Sequence, residues 1–179
     1  MQNVATSVGF SVVAVLLVLL FITGNFAVTI LVTLSIILVD VYLYALLYYW
    51  GLTFNTIVLI NIIIALGLSV DYSAHIAHTY LLTRPPQTAY FHNSPKRKRL
   101  FKAKIAISQM GSSVFHGGFS TLLAILALGG SSSYVFVVFF KLWVGIIIFG
   151  MSSGFFLLPI VFSFIGPYEE DEEPETNKV

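Results

Sequence analysis

Cysteine is absent from this sequence. That excludes disulfide scaffolds, Cys-rich metal sites and thiol chemistry, and it leaves the redox compartment unreadable. Charge is also scarce. Asp, Glu, Lys and Arg make up 9% of the 179 residues, against about 25% in an average soluble domain. So few ions do not cover a water-exposed surface, which argues against a soluble enzyme. No G-x-S-x-G, H-E-x-x-H or Walker motif is found, so the sequence gives no reason to expect an enzyme or a bound cofactor. What is abundant is apolar. Hydrophobic residues reach 58% and the mean hydropathy is +0.93. A chain with that much apolar surface to bury is not disordered.

The few charges are segregated. Seven of the nine basic residues lie between Arg84 and Lys104, and six of the eight acids lie between Glu169 and Glu175. Most of the rest is long apolar runs, the pattern of a multi-pass membrane protein. A helix needs about 20 apolar residues to cross a bilayer core. The sequence predicts five such spans, at about residues 4–22, 26–50, 52–82, 112–129 and 135–165. The turn at Thr23-Gly24-Asn25, the aromatic belt from Tyr42 to Trp50, and Gly129-Gly130 with its serines separate them. A basic loop, 83–110, joins the third and fourth spans. Within it, Pro95 to Met110 reads as an amphipathic interfacial helix with Leu100, Phe101, Ile105 and Ile107 toward lipid.

The fold expected is therefore an all-α bundle over residues 1–167, followed by an acidic tail at 168–179. Basic residues near span ends are retained on the cytoplasmic side. That rule puts the basic loop and the tail inside and the N-terminus outside. The Lys96–Arg99 run is better read as a topology determinant that touches anionic lipid than as a nucleic-acid patch. An exterior start leading straight into a span, with no signal peptide, resembles a piece of a longer chain.

Two carboxylates lie at membrane depth, Asp40 and Asp71. A central Asp costs about 2.5–3.5 kcal/mol on insertion scales, so such a group faces protein or water. It can then carry a proton or a cation. Asn61, Asp71, His75 and His78 share one helical side, flanked by Tyr72, and Gly67 removes bulk beside Asp71 so that a neighbouring helix can approach. In the fourth span Ser112, His116 and Ser120 repeat every four residues, beside the small-residue face of Ser113 and Gly117. These polar faces are expected to meet in the bundle interior, with Asp71 and His116 sharing a proton or flanking an ion. The bland reading gives Asn61 and the serines plain interhelical hydrogen bonds. Asp40, near the aromatic end of its span, is open to either role. His75 and His78 have helical spacing that suits a metal, but no third ligand completes a site, so no metal is expected. Gly150 and Gly154 form a G-x-x-x-G packing pair, Lys141 is expected to snorkel, and Pro159 to bend the last turns.

The run from Trp50-Gly51 through Asn55 and Asn61 to GLSVDYSAHIAHTY (Gly67 to Tyr80) resembles the tenth transmembrane helix of the Patched, Dispatched and Niemann–Pick C group of the resistance-nodulation-division superfamily. MGSSVFHGGFSTLLAILALGGSSSYVFVVFFKLWVGIIIFG (Met110 to Gly150) and LLPIVFSFIGP (Leu157 to Pro167) resemble its eleventh and twelfth helices. The likeness is collinear from about Phe26 to Pro167. It implies the second-repeat, sterol-sensing-domain-like five-helix bundle of a Patched-domain-containing protein. It further implies an ion-coupled carrier of sterols or other lipids, driven by protons or sodium, in the plasma or an endosomal membrane. Carried over residue by residue, Asp71 is the expected ion carrier, Tyr72 its neighbour in the motif, and His75 part of SAH. The family's first half, seventh helix and exterior domains have no counterpart in these residues. Transport is therefore expected to need the N-terminal half or a homologous bundle as partner. The rival reading is a non-transporting, sterol-sensing-like bundle that binds lipid and recruits a partner through its tail.

Overall fold

The computed structural model describes residues 2–86 and 94–167, with side chains from residue 6 onward. Residues 87–93 and the acidic tail lie outside the described residues. Every regular element among the described residues is helical. In chain order they are α1 (Gln2–Thr23), α2 (Phe26–Tyr49), α3 (Thr56–Leu82), α4 (Pro95–Gly129), α5 (Tyr134–Ser152), a π-helical turn (Ser153–Leu157) and α6 (Leu158–Ile165). Five helical stretches, the last running from α5 through α6, are long and apolar enough to cross a membrane. The chain is a multi-pass integral membrane protein.

Local chemistry sets the boundaries. Gly24, at φ 61°, takes the left-handed conformation that a side chain disfavours, and so turns α1 into α2 within two residues. Asn25 then caps α2, its Oδ1 accepting from the Val28 amide at 3.2 Å. Gly51, also at φ 61°, closes α2. Asn55 caps α3 in the same way, accepting from the Val58 amide at 3.0 Å.

Helix α3 is the hub and packs against α1, α2, α4 and α5. Its inward side buries Val58, Ile62, Ala65, Leu66, Ile76, Ala77 and Tyr80. Helix α2 contributes Val28, Val32, Ile36, Val39 and Leu43, and the end of the chain adds Leu158 and Phe162. The outer surface is just as apolar. Phe21 is 92% exposed and Phe10 81%. A soluble monomer rarely shows contiguous apolar surface of this kind, whereas hydrocarbon accommodates it.

Two features depart from expectation. The fourth span was expected at 112–129, apart from an interfacial helix at 95–110 within the basic loop; residues 95–110 are helical, but they run unbroken into the span as one helix of 35 residues, α4. That makes it about 52 Å long, against a hydrocarbon core of about 30 Å, so its first turns project beyond the core. Pro95 sits in the first turn, where its missing N–H costs nothing, and Lys and Arg are good helix formers. Of the face expected toward lipid, Leu100 is exposed, while Phe101, Ile105 and Ile107 are half-buried. Ala103 and Ala106 pack into the core.

The second feature lies at the other end of the chain. The fifth span changes to a π turn at Ser153, where the Leu158 amide donates to the Ser153 carbonyl. Pro159 has no N–H for the Phe155 carbonyl, and in a regular helix its ring would press on that carbonyl. Widening the turn relieves both. Lys141 lies with Nζ 5.8 Å from the centre of the Trp50 ring, a cation–π contact.

Candidate functional site

Asp71 lies on the outward side of α3. Its Oδ1 is 3.3 Å from Nε2 of His75, one turn on, and the two side chains are 68% and 62% exposed. His78, a further turn along, is exposed as well. The three polar groups recur at i, i+4 and i+7, so they form one stripe along the helix. A groove of about 260 Å³ runs beside them between α3 and α4. Leu68, Asp71, Tyr72 and His75 form one wall, and Ser113, Val114, Gly117 and Thr121 form the other. The Thr121 hydroxyl donates to the Gly117 carbonyl at 2.9 Å, which turns its methyl and oxygen along its own helix. The fourth span's share of this groove is its 113–117–121 stripe, so the two faces meet at an open groove and not, as was expected, in the bundle interior.

The expected pairing of Asp71 with His116 is not formed. His116 Nδ1 donates to the Ser112 carbonyl at 2.6 Å, its ring meets Phe115 edge-on, and it lies outside the groove. Helix rotation explains this. Val114 and Gly118 face the core, and residue 116, two positions from each, falls about 200° round from both. Ser112 and Ser120 are exposed outside the groove for the same reason. Gly67 also differs from expectation. A Cβ there would meet nothing within 4 Å, so it opens no close helix approach.

The close approach occurs behind Asp71 instead. Tyr72 is buried, and Gly150 and Gly154 lie against it. A Cβ on Gly150 would sit 3.1 Å from Cδ2 of the Tyr72 ring, and one on Gly154 would sit 3.2 Å from the Tyr72 carbonyl oxygen. The G-x-x-x-G pair thus seats the backbone that carries the acid. The π turn, which begins at Ser153, holds Gly154 in that seat. Beside it, the hydroxyls of Ser35 and Ser153 form a buried bond of 2.6 Å.

Asn61 is fully buried. Its Nδ2 donates to the Ile57 carbonyl at 2.8 Å, and its Oδ1 accepts from Nε1 of Trp143 at 3.0 Å. That is an interhelical bond, in line with the bland reading. Sequence reasoning missed Trp143, because an aromatic inside an apolar run reads as one more lipid-facing or core side chain. Asp40 is 5% exposed on the inward side of α2, and among the described residues its Oδ1 has no hydrogen-bond partner. Ser69 Oγ and Thr33 Oγ1 are buried without partners in the same way. No group of three or more His, Cys, Asp or Glu side chains among the described residues is arranged to hold a metal.

Two apolar clefts flank α5. One, of about 370 Å³, lies between α4 and α5 and is lined by Phe115, Phe119, Ile147, Met151 and Phe155 among others. The other, of about 390 Å³, lies against α2 and includes Leu38, Tyr42, Phe149 and Phe156.

Comparison with known proteins adds kinship. No family model matches the chain. It is 32% identical over 173 residues to the Niemann-Pick type C1-related protein of Toxoplasma gondii, an alignment covering 97% of this chain and 14% of that protein. It is 33% identical over 164 residues to NPC intracellular cholesterol transporter 1 homolog 1b of Drosophila melanogaster, covering 90% and 12%. NPC intracellular cholesterol transporter 1 of Sus scrofa is 29% identical over 164 residues, covering the same shares. The chain belongs to the Patched and Niemann–Pick C group of membrane proteins. It spans 9–14% of the length of the curated relatives it matches.

Proposed function

We propose that this chain is the second-repeat membrane bundle of an ion-coupled transporter of sterols or other lipids. Asp71 is the carboxylate that takes up and releases the coupling proton or sodium ion, and it works with His75. Tyr72, clamped by Gly150 and Gly154, fixes its position. The partner bundle, the N-terminal half of the protein or a homologous one, covers the stripe of Asp71, His75 and His78. The basic start of α4 faces the cytoplasm of a plasma or endosomal membrane, as does the acidic tail. The protein moves its cargo without chemical change and is not an enzyme.

One observation carries this reading. An ionisable Asp–His pair 3.3 Å apart stands on the outward side of a membrane helix, beside a groove rather than buried in the bundle. Hydrocarbon does not tolerate such a stripe, so protein or water must cover it. The relatives named as cholesterol transporters support the cargo class. The test is Asp71→Asn in the protein expressed in cells with its native partner. Sterol or lipid export driven by an ion gradient is expected to be abolished, with the protein still inserted. Undiminished export would overturn the assignment.

The two apolar clefts beside α5 favour a second reading, a lipid-binding, sterol-sensing-like bundle that does not transport. In that case Asp71→Asn leaves both lipid binding and partner recruitment unchanged. A photoactivatable sterol would still label the residues of the clefts.

A further inference from the structure

Of the two acids at membrane depth, Asp71 is partnered and open, and Asp40 is neither. Asp71 is 68% exposed and lies 3.3 Å from His75. Asp40 is 5% exposed, and its Oδ1 is enclosed with no hydrogen-bond partner among the described residues. Asp40 has no part in the transport step proposed above. Its neighbours on α2 show where it sits. Val39 and Leu43 pack with Ala65 of α3 and Ile146 of α5 in one buried cluster. Helix α1 also packs on α2. The Thr23 and Thr29 hydroxyls meet at 2.8 Å across the α1–α2 turn. Asp40 is eleven residues after Thr29, and Val12 is eleven before Thr23, so in this antiparallel pair the two stand level. The bundle itself therefore encloses the acid.

Among the described residues no charge stands by to offset it. Helix α1 holds no Asp, Glu, His, Lys, Arg or Tyr, and neither do the π turn and α6. On α2, Tyr44 is one turn on. On α3, Tyr72 is buried against Gly150, Tyr80 bonds to the Pro167 carbonyl, and Asp71, His75 and His78 point outward. Phenols carry no charge near neutrality. On α5, Lys141 places Nζ 5.8 Å from the centre of the Trp50 ring, and Trp50 is ten residues, about 15 Å, along from Asp40. A buried carboxylate with no counter-charge neutralises. A metal cation is a poor fit, because it gathers several oxygens. The other enclosed hydroxyls without partners are those of Thr33 and Ser69. Thr33 lies seven residues back on α2, about 10 Å away along the axis. Ser69 Oγ lies 3.5 Å from where a Cβ on Gly150 would stand. That leaves one carboxyl and at most one hydroxyl, whereas a proton needs a single oxygen.

We propose that Asp40 is a second proton-binding site, separate from Asp71, whose carboxyl holds its proton out of reach of water. Loading turns the carboxylate into the neutral acid and discharge reverses it, with no other bond changed. Asp40 is nine residues, about 14 Å, from the end of α2. Asp71 is fifteen residues, about 22 Å, into α3 from the same side of the bundle. The chain thus carries two proton sites at different depths, one beside an open groove and one occluded.

Infrared spectroscopy of the full chain in phosphatidylcholine nanodiscs at neutral pH tests this. The C=O stretch of a protonated carboxylic acid stands apart from the bands of carboxylates. Such a band is expected that is lost in Asp40→Asn, kept in Asp71→Asn, and slow to shift when H2O is exchanged for D2O. Asn has the shape of the neutral acid, so Asp40→Asn is expected to fold. Asp40→Glu is the second check, since it keeps an acid and should move the band where Asp40→Asn removes it. A spectrum with no protonated-acid band altered by either variant overturns the proposal. A band that shifts within the mixing time overturns the occlusion. The outcome is independent of the export assay: undiminished export in Asp71→Asn leaves the Asp40 band in place, and loss of the Asp40 assignment leaves that of Asp71 untouched.

Discussion

Trp143 donates its indole N–H to Oδ1 of Asn61 at 3.0 Å, tying α5 to α3 through an amide with no solvent exposure. Removing the acceptor leaves a half-buried indole N–H without its partner. Asn61→Ala is expected to destabilise the bundle by about 1–2 kcal/mol. In a double-mutant cycle with Trp143→Phe the two losses should fall short of additivity, because both variants break one bond. Denaturant or thermal unfolding of the purified protein measures both effects. Full additivity would mean that the bond contributes nothing.

Glycines separate seats from open space. Gly154→Ala puts a methyl 3.2 Å from a backbone oxygen that cannot rotate away. A cost of about 1–3 kcal/mol is expected from the overpacking. Gly67→Ala meets nothing within 4 Å and should fall within about 0.5 kcal/mol of the parent. Comparing the two melting curves is the check. The opposite order would place the close helix contact beside Gly67.

The two candidate histidines should part company. His116 is bonded within its own helix and lies outside the Asp71 groove, so His116→Ala is expected to leave ion-driven lipid export within about twofold of the parent, an effect below 0.5 kcal/mol. His75→Ala removes the only ion-pair partner found for Asp71 among the described residues. It should lower export well beyond that range. Transport assays of the two variants side by side decide the matter.

Tyr80 anchors the end of the chain, its hydroxyl donating toward the Phe162 and Pro167 carbonyls at 3.3 and 3.2 Å. Tyr80→Phe keeps the tilted ring contact with Phe162, 4.6 Å between centres, and loses only those bonds. A stability loss of about 0.5–1.5 kcal/mol is expected, together with faster amide hydrogen exchange at Gly166. Unchanged exchange would show that the hydroxyl holds nothing.

The five spans were legible because bilayer thickness imposes a length that apolar runs reveal directly. The turn at Thr23-Gly24-Asn25 also read as a boundary, whereas Asn55, which caps α3, fell inside a span drawn from residue 52. What could not be read depended on rotation and on non-local contacts. Pro95 to Met110 read as a helix of its own, but its unbroken continuation into the fourth span, with Lys98 and Lys102 turned inward, did not. Ser112-His116-Ser120 and Ser113-Gly117-Thr121 are equivalent polar stripes in one dimension. Only the burial of Val114 and Gly118 decides which of them meets α3. Tyr72 as the seat of Gly150 and Gly154 required knowing that α5 crosses α3 at that level. The sequence around Ser153 hinted at irregularity only through Pro159.

The widened turn at Ser153–Leu157 carries one residue more than a regular coil needs. Such an excess can migrate along a helix by exchanging one hydrogen-bond register for the next, each step rotating the residues it passes by about 100°. Gly154, inside that loosened stretch, is seated on the Tyr72 carbonyl, so the one irregular stretch of the last span lies a single residue from the acid.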